Sequence, residues 1–180
     1  SVITSLSLEH TEILGDTIEQ IAMEKAGIIK DNVRVVYDST DKRASGIIKE
    51  TAGKHNCEAC SISAENINLI KKHNYSVDFS LNCMYYDNAC FTVNFPALYQ
   101  TVNASLAICA VTMAAKKYKD FACITQEHLR EGIRKAHWEG RMEHIKLSGI
   151  KSDIYLDGAH NVSGIESFVK TVNAAGQNGD

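Results

Sequence analysis

Three short segments of this 180-residue chain concentrate residue types that can do chemistry. In Leu8-Glu9-His10-Thr11-Glu12-Ile13-Leu14-Gly15 an imidazole follows an apolar, β-branched stretch, the place where an α/β sheet delivers its functional loops. His10 there is either a surface histidine or a ligand. In Glu24-Lys25-Ala26-Gly27-Ile28 the helical spacing puts Lys25 on the face shared with Ile21, so it is expected to point inward. A half-buried lysine has a lowered pKa and becomes a nucleophile, able to take up carbon dioxide as a carbamate; the alternative is a lysine that snorkels to solvent. In Leu156-Asp157-Gly158-Ala159-His160-Asn161 a strand end passes through a tight turn into a helix N-terminus. Backbone N–H groups at such a turn attract anions, with Asp157 and His160 on either side, although the same residues also suit a plain Asx-type cap. Just upstream, Trp138-Glu139-Gly140-Arg141-Met142-Glu143 sets an arginine after a glycine at an expected inter-domain joint, where a guanidinium can reach a phosphate.

These segments must be held by regular elements, and the chain alternates strand and helix. Val2 to Leu6 reads as a strand; Asp16 with Glu19 predicts a capping box for a helix carrying Ile18, Ile21, Ala22 and Lys25, with Gly27 ending it. Val33 to Tyr37 reads as the next strand, and Ser39 or Thr40 as the cap of a helix with Ala44, Ile47, Ile48 and Thr51. Tyr75 to Met84 and Cys90 to Phe95 alternate on a period of two around Asp87-Asn88, predicting a β-hairpin with its turn there. After Pro96 a continuously apolar helix is expected over about 101–118, and its apolarity implies a buried helix. Thr125 can cap a further helix with Leu129 and Ile133. Arg141 to Leu147 and Asp153 to Leu156 follow as strands joined at Ser148-Gly149, and a last helix starts near Ser163. The pattern predicts an α/β fold: a largely parallel sheet with flanking helices, a β-hairpin, and the start of a second α/β unit.

Composition narrows the function classes. The chain is 44% hydrophobic and 23% charged, and 19 Lys and Arg against 22 Asp and Glu give a net charge of -3, so there is no electrostatic footprint for nucleic acid or an anionic membrane. No stretch approaches the roughly 20 apolar residues of a spanning helix. Export is not expected, because a basic leader is lacking. Six cysteines (Cys57, Cys60, Cys83, Cys90, Cys109 and Cys123) in a chain of this size read as reduced small hydrophobes of a cytosolic protein. Cys57 and Cys60 form a CxxC after His55, yet Cys83 and Cys90 are too far apart in sequence to complete a zinc ribbon.

Taken in order, ITSLSLEHTEILG, EKAGIIK, FPALYQTVNAS, WEGRMEH and LDGAHN resemble the folylpolyglutamate synthase and dihydrofolate synthase family, within the Mur ligase superfamily of ATP-dependent amide-bond-forming enzymes. The resemblance implies a cytoplasmic, monomeric parent enzyme that joins L-glutamate to folate or dihydropteroate through an acyl phosphate, with ATP and magnesium. It implies that His10 binds magnesium, that Lys25 carries a carbamate beside the metal, that Asn103 meets the adenine and Arg141 the phosphates. Asp157 would meet the ribose, and His160 the place where phosphate and incoming glutamate come together; Lys25 and His160 are thus the catalytic candidates. The chain departs from the family at Glu9, where Asp is usual, at Ala97 and Tyr99, which replace glycine and histidine, and at Val162, which replaces proline. No GxxxxGK[ST] occurs in it, so the loop that cradles ATP phosphates is not among these residues. The expectation is an internal piece of a ligase: residues 1–140 as the second half of its ATP-binding domain, and 141–180 as the hinge and the beginning of its C-terminal domain, inactive alone. The competing readings are a ligase with another acyl substrate, a non-catalytic module on the same scaffold, and a small zinc module at His55, Cys57 and Cys60.

Overall fold

A computed structural model describes residues 1–8, 14–149, 152 and 154–176 of the chain. The expectations for Glu9, His10, Thr11 and Glu12 therefore lie outside the described residues.

Strand β2 (Val35–Asp38) is buried along its whole length, with β1 (Val2–Ile3) and β3 (Ala59–Ile62) parallel to it on either side. Because successive side chains of a strand point to opposite faces, β2 serves two cores at once. Val35 and Tyr37 pack with Ile3, Ala26, Ile29, Ile48 and Ala52 on one face. Val36, with Cys60 and Ile62 of β3, turns to the other. The first face is covered by helices α1 (Ile18–Ala26) and α2 (Lys42–Lys54).

Both helix starts differ from expectation by one or two residues. Thr17, not Asp16, caps α1, accepting from the Gln20 N–H at 3.3 Å while the Gln20 side chain accepts from the Thr17 N–H. Asp41, not Ser39 or Thr40, caps α2 through the N–H groups of Arg43 and Ala44. In each case the residue used is the one whose side-chain oxygen stands one residue before the first helical turn. Gly27 closes α1 in right-handed conformation rather than left-handed, and a Cβ there would sit 3.1 Å from the Glu24 carbonyl oxygen.

The second face of the parallel sheet packs on the long helix α3 (Tyr99–Lys117), and a three-stranded antiparallel sheet packs on the same helix. That sheet consists of β4 (Ile67–Lys72), β5 (Val77–Cys83) and β6 (Tyr86–Val93), so the expected hairpin has a third strand. Its turn is at Met84-Tyr85. Asp87-Asn88 lies within β6 instead, where the register shifts and Asn88 has φ 52°: its left-handed tolerance serves a β-bulge, not a turn. Val77, Phe79 and Leu81 from β5 and Phe91 and Val93 from β6 form one core with Ala104, Leu106, Ile108, Cys109 and Met113 of α3. Apolar residues on several sides of α3 follow from this position between two sheets, and only a strip containing Ala107 and Val111 is exposed. Its buried hydroxyls are satisfied within the helix, Ser105 donating to the Thr101 carbonyl and Thr112 to that of Ile108, both at 2.8 Å.

Helix α4 (Gln126–Lys135), capped by Thr125 as expected, packs Leu129 and Ile133 on the edge of that core. Strands β7 (Glu143–Ile145) and β8 (Ile154–Leu156) pair antiparallel, followed by α5 (Val162–Gly176). The ring of His144 lies between Tyr75 and Tyr155, at centroid distances of 4.8 and 5.1 Å, and so ties this hairpin to the turn after β4. That turn is itself held by His73 Nε2 against Asp78 Oδ2 at 2.8 Å, while Thr92 donates to the other Asp78 oxygen at 2.7 Å.

The cysteines are all free thiols. Cys57 packs beside the α1–α2 core while Cys60 is buried in the α3 core, so the CxxC spacing puts its two sulfurs on opposite faces of the sheet and not in a chelating pair.

Two measurements test this packing. Phe79→Ala, which removes a fully buried ring from the α3 core, is expected to cost about 3–5 kcal/mol in urea unfolding. The Asp78 carboxyl is held below its ordinary value, chiefly by His73 and then by Thr92. Its ionised form stabilises the fold above the ordinary carboxylate range, and that contribution is lost as pH falls through the lowered value. Between about pH 6 and about pH 3 the Tm of the wild-type chain should thus fall more steeply than that of Asp78→Asn.

Candidate functional site

The loop after β8 and the loop before β7 cross each other, and their backbones supply most of the contacts. Gly158 N–H donates to the Gly140 carbonyl at 2.7 Å. Asp157 uses both carboxylate oxygens: one accepts from the Met142 N–H at 2.8 Å, the other from the Ala159 N–H at 2.8 Å. The second contact is an Asx turn of the kind expected for this segment. The first is a long-range clamp.

For Met142 to aim its N–H at Asp157, the chain adopts left-handed backbone on both sides of Arg141. Gly140 has φ 67° and Met142 has φ 51°. The glycine adopts this freely, but the methionine does so at a cost of about 1 kcal/mol or more. Burial of the Met142 side chain, 3% exposed, and the bond to Asp157 hold it there. Gly140 N–H is in turn bonded to Glu143 Oε2 at 2.8 Å. Arg141 is left exposed at the tip between two fixed residues.

Asn161 caps α5, accepting from the Gly164 N–H at 2.8 Å. A Cβ on Gly164 would stand 3.0 Å from that Asn161 oxygen and 3.3 Å from the Ala159 Cβ, so the residue must be small for the loop to close against the helix. His160 is exposed, its Nδ1 2.9 Å from the Gly158 carbonyl, which leaves Nε2 directed outward.

Residues of the first turn of α3 complete the junction. Tyr99 is half-buried among Asp157, Arg141 and Gln100; burial, then the Asp157 charge, raise its phenol above the ordinary value. Asn103 donates to Gln100 Oε1 at 3.0 Å. Asn103, Arg141 and Asp157, expected on the strength of separate motifs, are thus neighbours of one small group of side chains. His160 stands on the same loop as Asp157.

Lys25 stands apart from this group. The buried stripe of α1 is Ile18, Ile21, Ala22 and Ala26, and Lys25 is exposed. The inward orientation expected from Ile21 is therefore corrected: the stripe follows the i, i+4 rows through Ile18 and Ala22 to Ala26, which turns residue 25 outward. His10 lies outside the described residues.

Two contributors were not singled out as site residues from the sequence. One is the backbone N–H of Met142, which no side-chain motif reveals. The other is Tyr99, noticeable only as a departure from a family pattern.

Comparison with known proteins identifies the family and the fold. Residues 1–111 match the Mur ligase middle domain. The chain is 36% identical over 178 residues to the dihydrofolate synthase/folylpolyglutamate synthase of Bacillus subtilis, covering 96% of this chain and 39% of that protein. It is 28% identical over 172 residues to the folylpolyglutamate synthase of Lacticaseibacillus casei, covering 94% and 39%. Among solved structures, the apo form of L. casei FPGS superposes with a TM-score of 0.80 at 27% identity, over 96% of this chain and 41% of that one. An FPGS–AMPPCP–folate complex superposes with a TM-score of 0.81 at 27% identity and the same coverage. The chain thus spans about two-fifths of the length of these relatives.

Asp157→Ala would strip the Met142 and Ala159 N–H groups of their acceptor, a loss of roughly 1–3 kcal/mol for partly buried donors. Amide hydrogen exchange at residues 142 and 159 should accelerate selectively, with β5 and α3 unaffected.

Proposed function

Because the chain belongs to the Mur ligase family, we propose that it is the central part of an ATP-dependent ligase that adds L-glutamate to folate or dihydropteroate. Residues 1–140 form the second half of its ATP-binding domain, and 141–180 form the hinge and the opening of its C-terminal domain. The parent enzyme is a cytoplasmic monomer in this reading. The observation that carries the proposal is the junction at Asp157, where the loop after β8, the Gly140–Met142 turn and the first turn of α3 meet.

Such a junction suits a nucleotide. Asp157 is fixed by two backbone N–H groups and faces a ribose; Asn103, in the first turn of α3, takes the adenine side. Arg141 projects from a rigid turn, so its guanidinium meets phosphates with little loss of rotational freedom beyond its own. Attack of the substrate carboxylate on the γ-phosphoryl gives an acyl phosphate and releases ADP, and attack of the glutamate amine on that carbonyl, with loss of a proton, gives the amide and releases phosphate. His160, with Nε2 outward, stands where phosphate and amine meet. Catalysis by these residues is positioning and charge stabilisation.

Magnesium belongs to the same proposal, with His10 and a carbamate on Lys25 among its ligands. Among the described residues no three His, Cys, Asp or Glu side chains converge as a metal site. A carbamate on Lys25 would offer the oxygen ligands a hard cation prefers; that assignment rests on the family resemblance, because the exposed Lys25 lacks the burial expected to activate its amine. Further ligands then come from outside the described residues.

The test is ADP formation by the intact enzyme in the presence of ATP, magnesium, glutamate and either folate or dihydropteroate. Turnover should require glutamate and the pteroate-type substrate together, and the 180-residue chain alone should give none. Lys25→Arg keeps the positive charge but cannot carry a carbamate, and is expected to lower kcat by about 100-fold or more. ADP formation that ignores both substrates, or full activity of Lys25→Arg, would overturn respectively the ligase reading and the role of Lys25.

A further inference from the structure

Three of the six thiols meet at one point that the proposed ligase chemistry does not use. Cys60 from β3, Cys83 from the end of β5 and Cys109 from the middle of α3 converge where both sheets face the helix. The sulfurs of Cys83 and Cys109 are 3.7 Å apart. The Cys60 thiol interacts with both. Cys60 and Cys109 are buried, at 2% and 0% exposure, whereas Cys83 is half-buried beside the exposed Met84.

The trio is asymmetric. The Cys83 sulfur lies against the Cys109 and Cys60 thiols and the Tyr85 and Tyr86 backbone N–H groups, and these contacts draw its pKa down. The neighbouring sulfurs of Cys60 and Cys83, together with burial, push the Cys109 thiol up. The thiolate is thus favoured on Cys83, the least buried of the three residues, with the Cys109 thiol directly beside it. A reactive sulfur with a second thiol poised beside it is the arrangement that turns oxidation into a disulfide.

We propose that Cys83 and Cys109 are an oxidation site, converted by a hydroperoxide into a disulfide that joins the antiparallel sheet to α3. In the first step the Cys83 thiolate attacks the peroxide O–O bond, takes one oxygen as a sulfenic acid, and releases the other as an alcohol, or as water from hydrogen peroxide, after protonation. The Cys109 thiol then attacks the sulfenic sulfur; the S–S bond forms, the S–O bond breaks, and the hydroxyl leaves as water with the thiol's proton. Two thiols lose two electrons in total and the peroxide gains them. The sulfurs must close from 3.7 Å to the roughly 2.0 Å of a disulfide. Cys83 pairs with Tyr86 after the register shift that follows Leu81, next to the Met84-Tyr85 turn, where the ladder is least regular. Cys60 holds the pair in place from β3.

The experiment treats the intact protein with hydrogen peroxide, alkylates the remaining thiols, digests without reductant and maps the peptides by mass spectrometry. The expected product is a Cys83–Cys109 cross-link that dithiothreitol reverses. Cys83→Ser should abolish it, and Cys109→Ser should leave Cys83 as a sulfenic acid that dimedone traps in higher yield than in wild type. The proposal is overturned if Cys83 and Cys109 are recovered fully alkylated while the exposed Cys90 and Cys123 oxidise, or if the first disulfide joins other cysteines. Mapping of the wild-type protein decides these outcomes even if a serine variant does not fold.

Discussion

The burial of α3 between two sheets is the constraint on which the rest of the structure depends. A helix with one wet face can slide or tilt against its support, but α3 takes Val36, Cys60 and Ile62 on one side and Phe79, Leu81 and Phe91 on another. Close packing on both sides fixes its rotation and its axial position together. Its first turn, with Tyr99 and Asn103, is thereby delivered to the loops that follow Trp138. The requirement also explains the aliphatic hydroxyls of the helix, at Thr101, Ser105 and Thr112, each of which donates to a carbonyl of α3 or the turn just before it.

The second organising feature is the exchange of backbone hydrogen bonds between the 140–142 and 157–159 loops. Neither loop is regular, and local side chains satisfy only part of their N–H groups. Each uses the other: Gly158 bonds to Gly140, and Met142 to Asp157. The left-handed strain at Met142 persists because this mutual bonding and the burial of the side chain outweigh it. A loop crossing built this way has a defined geometry although neither part is regular structure.

Much of this was legible in the sequence. The periodicity of α1, α2 and α4, the strands around Val35 and Val77, and the pairing of β7 with β8 all follow from apolar spacing and turn residues, because local pattern and tertiary environment agree there. The third antiparallel strand was not legible: Ile67–Lys72 is largely exposed, with lysines in place of an alternating apolar face. Asp87-Asn88 misled because one left-handed Asn serves a bulge as well as a turn. Ordered motifs pointed to Asn103, Arg141 and Asp157, yet their assembly depends on the Met142 N–H and on Tyr99, and backbone donors leave no trace in residue type. Lys25 shows the limit of a helical wheel, where a rotation of one position separates a buried residue from an exposed one.

The way Asp157 is held has a consequence for selectivity. A carboxylate has about four lone-pair directions, and two of them are committed to backbone donors inside the protein. Tyr99 takes a further contact, so what remains on the half-buried carboxylate is a small acceptor surface carrying negative charge, with no donor to offer. Any group that docks there must bring hydrogens, as the neighbouring hydroxyls of a sugar do. A phosphate oxygen is turned away by charge and by the lack of a proton to share. The loop crossing thus presents acceptors at Asp157 and a cation at Arg141, two opposite chemical poles on one small surface beside Tyr99.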